Sequence, residues 1–141
     1  KHFIREARAL RSTVLRHPPG HIQRTAAYFL SLGHYDALIR RMGKAFHERR
    51  LAMEESFLQF SLTVAGQGAF GGSSFWMLAP EGVDTEIVAK RLHSKGVLIE
   101  PGRPFFTIED APKNYYRLAY SSLPVRKIPE GVALIASEMH P

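Results

Sequence analysis

The chain has 141 residues, of which 45% are hydrophobic, and its 19 lysine and arginine residues outnumber 13 acidic ones to give a net charge of +6. This apolar content excludes a disordered segment, and the length is sufficient for one domain with a core. The absence of cysteine excludes disulfides and thiolate metal sites, and no apolar run indicates a membrane span or a signal peptide. We therefore expect a cytoplasmic protein.

The positive charge by itself would permit a nucleic-acid partner. However, the basic residues are spread through segments with a helical pattern, and they accompany no zinc-finger, RNP or clear helix-turn-helix motif. We therefore do not expect this chain to bind nucleic acid directly.

Three helices are predicted before the first strand. The first, over residues 2–16, has an apolar face at helical spacing made of Phe3, Ala7, Leu10 and Val14. Pro18-Pro19-Gly20 ends it. The second runs from about residue 21 to residue 32, with Gly33 as its C-terminal stop. The third, rich in arginine, covers residues 35–57.

Beyond the third helix the apolar period changes from 3.6 to 2. Residues 58–64 alternate between apolar and polar, which predicts a half-buried strand. Residues 66–72 form a glycine-rich connection that is neither a P-loop nor a dinucleotide fingerprint, because no Gly-Lys-Ser/Thr and no helical pattern follow it. A second strand is predicted over residues 73–79, with the chain's only tryptophan, Trp76.

The last part of the chain alternates between helices and strands. Asp84 is predicted to cap a helix that stops at Gly96, and residues 97–99 to form a short buried strand. A final helix begins at Pro129, with an apolar face made of Val132, Ile135, Ala136 and Met139. The order α-α-α-β-β-α-β-β-α predicts an α+β fold (α/β layered), with a small mixed or antiparallel sheet and helices packed on one face.

Residues 114–121 read Asn-Tyr-Tyr-Arg-Leu-Ala-Tyr-Ser between turn-forming residues, which predicts a strand. Alternation places Arg117 on the face of Tyr115 and Ala119, and the opposite face carries Tyr116, Leu118 and Tyr120. A guanidinium on a mostly apolar strand requires an anion, because burying it unpaired is costly. Its planar fork suits a carboxylate, and the residues alone leave open whether this belongs to the protein or to a ligand.

Other catalytic and metal-binding patterns are not found in the sequence. His17 and His21 are four residues apart, but the intervening prolines and glycine keep them off one helix face. There is no metal-ligand spacing and no Gly-x-Ser-x-Gly nucleophile motif. The sequence thus contains no self-sufficient catalytic set and no predicted metal site.

Several motifs follow one another in a distinctive order. In the C-terminal part they are Gly71-Gly72-Ser73-Ser74-Phe75-Trp76 with Pro80, Gly96-Val97, Pro101-Gly102 with Phe105, Arg117-Leu118-Ala119-Tyr120-Ser121, and Glu130-Gly131-Val132. This series resembles the C-terminal portion of fold-type-I, pyridoxal-phosphate-dependent aminotransferases of class I/II. Upstream motifs are similar to one branch, the MocR type of GntR-superfamily transcriptional regulators; they are Arg16-His17-Pro18-Pro19, Gln23-Arg24, Phe29-Leu30-Ser31-Leu32-Gly33-His34-Tyr35-Asp36, Arg40-Arg41 and Arg49-Arg50.

The resemblance implies roles for two residues. Arg117 would bind the carboxylate of an amino-acid ligand, and Phe105 would lie near the ligand pocket. Residues 1–57 would link a large domain to a small one, and residues 58–141 would form the small C-terminal subdomain of a longer protein. That protein would bind pyridoxal 5′-phosphate (PLP) and an amino acid or amino compound, form a homodimer, and contact DNA only through an N-terminal winged helix-turn-helix, with no membrane partner.

The resemblance also implies that this chain lacks part of the site. The cofactor lysine of the family lies in a Ser-x-x-Lys segment followed by Pro-Gly-x-Arg, and none of the six lysines here has that context. The fragment alone should therefore have no transaminase activity and no cofactor-binding residue. Leu38 stands where relatives often carry histidine. Two alternatives stay open: a free-standing PLP-dependent aminotransferase, and a packing or dimerisation module in which Arg117 is structural.

Overall fold

The computed structural model describes residues 2–66 and 72–139. The helices are α1 (His2–Val14), α2 (Gly20–Ser31), α3 (His34–Gln59), α4 (Thr85–Ser94) and α5 (Ile128–Met139). The strands are β1 (Thr63–Val64), β2 (Ser74–Leu78), β3 (Glu100–Pro101) and β4 (Tyr115–Ala119), and two short 3-10 helices cover Arg103–Phe105 and Val125–Lys127. The predicted order of helices and strands is confirmed. Most of the predicted glycine-rich connection, residues 67–71, lies outside the described residues.

The chain divides into two compact units, residues 1–42 and residues 43–141. In the first unit, no described residue of α1 or α2 is buried. The second unit contains the sheet and the hydrophobic core. The division predicted between residues 57 and 58 concerns the domains of a longer protein, and it stays a prediction.

The four strands form one antiparallel sheet in the order β1-β2-β4-β3. Five residue pairs join β2 to β4, with Trp76 opposite Arg117. On the other side of β4, Glu100 of β3 is also opposite Arg117. Because side chains alternate between the faces of a sheet, this register gives Trp76, Arg117 and Glu100 a common face.

The opposite face of the sheet carries the core. Its strand residues Phe75, Met77, Tyr116 and Leu118 are buried. They form one cluster with side chains from three helices: Met53 and Phe57 of α3, Val88 and Leu92 of α4, and Val132, Ile135 and Met139 of α5. Full burial of such a side chain contributes about 1.5–3 kcal/mol, so this cluster is a large favourable contribution to the stability of the unit. The predicted α+β layer, with helices on one face of the sheet, is confirmed.

The strand predicted over residues 58–64 is wrong for most of its length. Helix α3 continues to Gln59, since Met53 and Phe57, four residues apart, share its buried face. Leu58 is 84% exposed, although the alternation placed it on the buried face of a half-buried strand. Ser61 then takes a positive φ of 54°, which ends the helical path before the two residues of β1.

The short strand predicted over residues 97–99 is also wrong. The pairing with β4 begins at Glu100. Leu98 is 72% exposed and only Ile99 is buried, so the apolar run is not a buried strand. A run of three apolar residues has no detectable period, which is why the sequence placed this strand two to three residues too early.

The predicted boundaries of α4 are confirmed by its caps. The Asp84 carboxylate accepts a hydrogen bond of 3.0 Å from the backbone N–H of Glu86. At the other end Gly96 has a φ of 78°, and the N–H of Val97 donates to the carbonyl of Leu92 at 3.0 Å. Glycine adopts this left-handed conformation without steric cost and so ends the helix.

Among the described residues, no helix combines the length and the apolar character that a membrane crossing would require.

Candidate functional site

Arg117 lies in the middle of β4, on the face of the sheet opposite the core. The predicted alternation is confirmed: Tyr116, Leu118 and Tyr120 are buried, whereas Tyr115 and Arg117 are only partly covered. The side chain of Arg117 is 42% exposed. The sequence pattern implied a buried guanidinium. For the Arg117 side chain as a whole this is wrong, because helices α3, α4 and α5 pack on the other face of the sheet.

The observed anionic partner of Arg117 is Glu100. The Arg117 Nη2 atom donates to Glu100 Oε1 at 2.7 Å, and the Glu100 side chain is 50% exposed. This hydrogen bond, together with the attraction between the two charges, raises the pKa of Arg117 above its ordinary value. Of the two partners that the sequence left open, the structure thus contains the internal carboxylate, and the role of Arg117 toward a ligand stays a prediction.

Phe105, the second predicted site residue, lies close to Arg117. Its ring centre is 5.7 Å from the guanidinium carbon, a distance typical of a cation–π contact. Phe105 ends the 3-10 helix that follows β3, and its side chain is 53% exposed. The two residues that the resemblance selected are therefore brought together in the structure.

Gly102 holds this loop against β4. Its N–H donates to the carbonyl of Tyr115 at 2.7 Å. A Cβ atom at residue 102 would lie 2.6 Å from the same carbonyl oxygen, closer than real Cβ contacts. Only glycine fits this close approach, and the approach fixes the start of the segment that carries Phe105.

An aromatic cluster surrounds the pair of Arg117 and Phe105. Trp76, opposite Arg117 on β2, stacks on Tyr115 with ring centres 5.8 Å apart and an interplanar angle of 21°. Trp76 also contacts Phe105 at 5.5 Å and Phe106 at 6.0 Å. Such contacts fix the side chains of the open face, and each contributes about 0.5–1.5 kcal/mol beyond burial. We call Trp76, Phe105, Phe106, Tyr115 and Arg117 the open-face cluster.

Sequence reasoning did not assign Glu100, Trp76, Tyr115 or Phe106 to the site. The neighbours of Arg117 on adjacent strands depend on the strand register, and β3 was predicted at the wrong residues. A usable signal did exist, because Glu100 directly precedes the Pro101-Gly102 motif, and proline and glycine are typical of turns. A strand at that turn would have brought this carboxylate beside the arginine strand.

A cavity of about 540 Å³ lies in another part of the sheet. It is lined by residues from the end of β2 and the start of β1, namely Ser61, Leu62, Thr63, Leu78, Ala79, Pro80, Glu81 and Asn114. Neither Arg117 nor Phe105 lines it. The open-face cluster is therefore an open surface and not part of this cavity.

The described residues do not provide a complete cofactor site. Three lysines lie in ion pairs, Lys95 with Glu138, Lys113 with Asp84, and Lys127 with Glu130. Lys44 and Lys90 are exposed on helices. The ion pairs of these three lysines are with Glu138, Asp84 and Glu130 and not with the open-face cluster, and which residues would hold PLP stays a prediction. Within the described part of the chain no group of three or more His, Asp or Glu side chains could hold a metal ion.

Known proteins similar to this chain fall into two groups, regulators and aminotransferases. Over 134 residues the chain is 60% identical to the HTH-type transcriptional regulator TauR of Rhodobacter capsulatus, a match that covers 95% of this chain and 28% of TauR. It is 31% identical to aromatic-amino-acid aminotransferase 1 of Thermococcus litoralis, over 96% of this chain and 32% of that protein. No protein-family model matches the chain.

Solved structures of aminotransferases are also similar to this chain. The crystal structure of the multiple substrate aminotransferase from Thermococcus profundus superposes with a TM-score of 0.82 at 28% identity. That match covers 98% of this chain and 34% of the aminotransferase chain. The chain thus spans about a third of the length of the proteins that it matches. Over nearly its whole length the chain is therefore an aminotransferase-like homologue of part of an HTH-type transcriptional regulator.

Proposed function

We propose that this chain is part of the effector domain of a PLP-binding transcriptional regulator, and that Arg117 binds the carboxylate of an amino acid or amino compound there, beside Phe105. The observation that carries the proposal is the guanidinium of Arg117 on the face of the sheet opposite the core, over the Phe105 ring at 5.7 Å. A half-exposed arginine that is fixed by aromatic neighbours suits a small carboxylate.

The remaining parts of the proposal concern the intact protein. Residues outside this chain would hold PLP, which supplies the electron-withdrawing ring chemistry of amino-group reactions when bound. Residues 1–57 would connect a large domain to the small one formed by residues 58–141. A cytoplasmic homodimer would bind DNA through an N-terminal domain, and the ligand would shift it between states. The 60% identity to an HTH-type regulator supports this arrangement.

The test is the binding of carboxylates by the intact protein. We would titrate the PLP-loaded protein with the twenty standard L-amino acids and with their amides by isothermal titration calorimetry. Arg117→Gln should raise the Kd of the amino acids by about ten- to a hundredfold, because a charge-assisted hydrogen bond is lost, and leave the amides unchanged. Arg103→Gln, which removes an exposed arginine of the neighbouring loop, is the matched control.

The opposite result would assign a structural role to Arg117. If Arg117→Gln lowers the thermal stability and leaves every Kd unchanged, the ion pair with Glu100 is the whole function of this arginine. The chain would then serve as a packing or dimerisation module.

A second candidate function is a free-standing aminotransferase. The 31% identity to an aromatic-amino-acid aminotransferase and the TM-score of 0.82 to another aminotransferase favour it. Steady amino transfer to 2-oxoglutarate by the intact protein, without binding to DNA, would support the enzyme. DNA binding that responds to an amino compound, with little turnover, would support the regulator.

A further inference from the structure

We propose that Glu100 is an internal competitor for Arg117: its carboxylate shares the guanidinium with a ligand carboxylate and thereby lowers the affinity of the ligand. This inference rests on the proposed function of Arg117. It assigns to Glu100 the control of ligand affinity, a role that the resemblance to aminotransferases does not imply.

The contact involves the nitrogen atom that matters most for a bidentate ligand. Glu100 Oε1 accepts from Arg117 Nη2 at 2.7 Å. A guanidinium presents two edges to a carboxylate, one made by Nη1 and Nη2 and the other by Nε and Nη2. Both edges include Nη2. Nη2 has two N–H groups, one on each edge, and Glu100 occupies one of them. A ligand carboxylate on either edge would therefore share Nη2 with Glu100 and meet the repulsion of its negative charge.

The pair is also incomplete, which makes exchange feasible. Glu100 contacts a single nitrogen of the guanidinium. The Nε atom is buried and has no hydrogen-bond partner in the part of the chain that the structure describes. A ligand carboxylate that bound the Nη1–Nη2 edge, which does not include the buried Nε, would replace one hydrogen bond by two, so the exchange favours the better-aligned ligand.

The two side chains are accessible, and they can separate. They are 42% and 50% exposed, and such an exposed ion pair contributes little because water screens it. Glu100 can turn toward solvent on β3, an edge strand of two residues. Arg117, in contrast, stays in place through its strand neighbours and the Phe105 ring. The fixed guanidinium and the mobile carboxylate together form an exchangeable site.

Glu100 also lowers the affinity of the site for carboxylates in general. A ligand must offset the loss of the Glu100 contact, so the apparent affinity of every carboxylate is lowered by the same factor. Removal of the Glu100 charge should therefore tighten the binding of carboxylates and should not affect ligands without a carboxylate.

The experiment compares the intact, PLP-loaded wild-type protein with Glu100→Gln, Glu100→Ala and Glu109→Gln. The probe is the L-amino acid of the panel with the lowest Kd, together with its amide. Both substitutions of Glu100 should lower the Kd of the amino acid by about two- to fivefold, which corresponds to the loss of an exposed ion pair, and leave that of the amide unchanged. Glu109→Gln, which removes an exposed carboxylate outside the cluster, should match the wild type.

Three other results would overturn the inference. If both Glu100 variants bind the amino acid more weakly, Glu100 positions Arg117 and does not compete with the ligand. If they match the wild type while Arg117→Gln abolishes binding, the proposed function stands and the inference fails. If no amino acid depends on Arg117, the proposed function itself fails and the inference fails with it. Thermal unfolding of each variant checks that it is folded.

Discussion

The two faces of β4 differ although they belong to the same five residues. On one face Tyr116 and Leu118 are 0% and 4% exposed and pack with residues of three helices. On the other face Tyr115 and Arg117 lie among the aromatic rings of the open-face cluster, and Phe105 of that cluster is 53% exposed. Burial of Tyr116 raises the pKa of its hydroxyl well above the ordinary value, whereas Arg117 keeps a charge partner near solvent. Alternation thus gives a single strand one face that is buried in the core and one open face, and the proposed ligand contact belongs to the open face.

This comparison indicates where substitutions should affect folding and where they should affect binding. The core face is closed by helices, so a lost methyl group leaves a cavity. The open face is held by ring contacts and one exposed ion pair, so substitutions there should change ligand affinity more than stability.

The largest effect should come from the core face. Leu118→Ala removes a side chain that is 4% exposed, and we expect the free energy of unfolding to fall by about 2–5 kcal/mol through lost burial and a new cavity. Urea denaturation followed by circular dichroism measures this change. The control is Leu98→Ala, since Leu98 is 72% exposed and its loss should change stability by less than about 0.5 kcal/mol. Equal effects at the two positions would contradict the contrast between buried and exposed leucines.

An intermediate effect should come from Gly102, which holds the loop that carries Phe105 against β4. Gly102→Ala places a Cβ atom 2.6 Å from the carbonyl oxygen of Tyr115, and relief of this clash should cost about 1–3 kcal/mol. Because the loop carries Phe105 against Trp76, the emission of this only tryptophan of the chain should also shift.

Gly131→Ala provides the matched control for Gly102→Ala. Nothing lies within 4 Å of a Cβ at residue 131, which is inside α5, so this change should stabilise the chain by about 0.5–1 kcal/mol. A neutral Gly102→Ala variant with unchanged fluorescence would show that the loop is not held by this close approach.

The smallest effect should come from an ion pair outside both faces. Glu138 of α5 accepts from Lys95 at 2.5 Å and pairs with Arg91 at 2.8 Å. The hydrogen bond from Lys95 lowers the pKa of Glu138, although desolvation acts in the opposite direction. A lowered pKa in the folded state means that the stabilisation is complete above the unfolded value of about 4.3 and disappears as the pH falls through the folded value.

Glu138→Gln should therefore lower the urea midpoint at pH 7, and the difference from the wild type should shrink as the pH falls from about 5 to about 3. The shift at pH 7 should be smaller than in Leu118→Ala or Gly102→Ala. Glu109→Gln, at an exposed position, should show no pH-dependent difference. A constant difference at all pH values would mean that the charge of Glu138 does not contribute.

Local sequence patterns were sufficient to predict helix ends and the buried faces of β4 and α5. Asp84 and Gly96 fixed the ends of α4, because a short carboxylate and a glycine satisfy the backbone groups at helix termini. The alternation in residues 114–121 separated the faces of β4 correctly. The apolar face of α5 was also predicted, and Val132, Ile135, Ala136 and Met139 are all buried.

The partners of those elements required the tertiary structure. The extent of α3 depended on which apolar residues meet the sheet, and Phe57 does so while Leu58 does not. The contact of Arg117 with Glu100 depended on the register of β3, which the sequence placed too early. The amino-acid sequence by itself determined the order of the elements and the inward faces of β4 and α5, because these follow from backbone propensity and local periodicity. Which carboxylate and which ring meet the arginine was decided by pairing between strands distant in the chain, and local periodicity contains no information about that register.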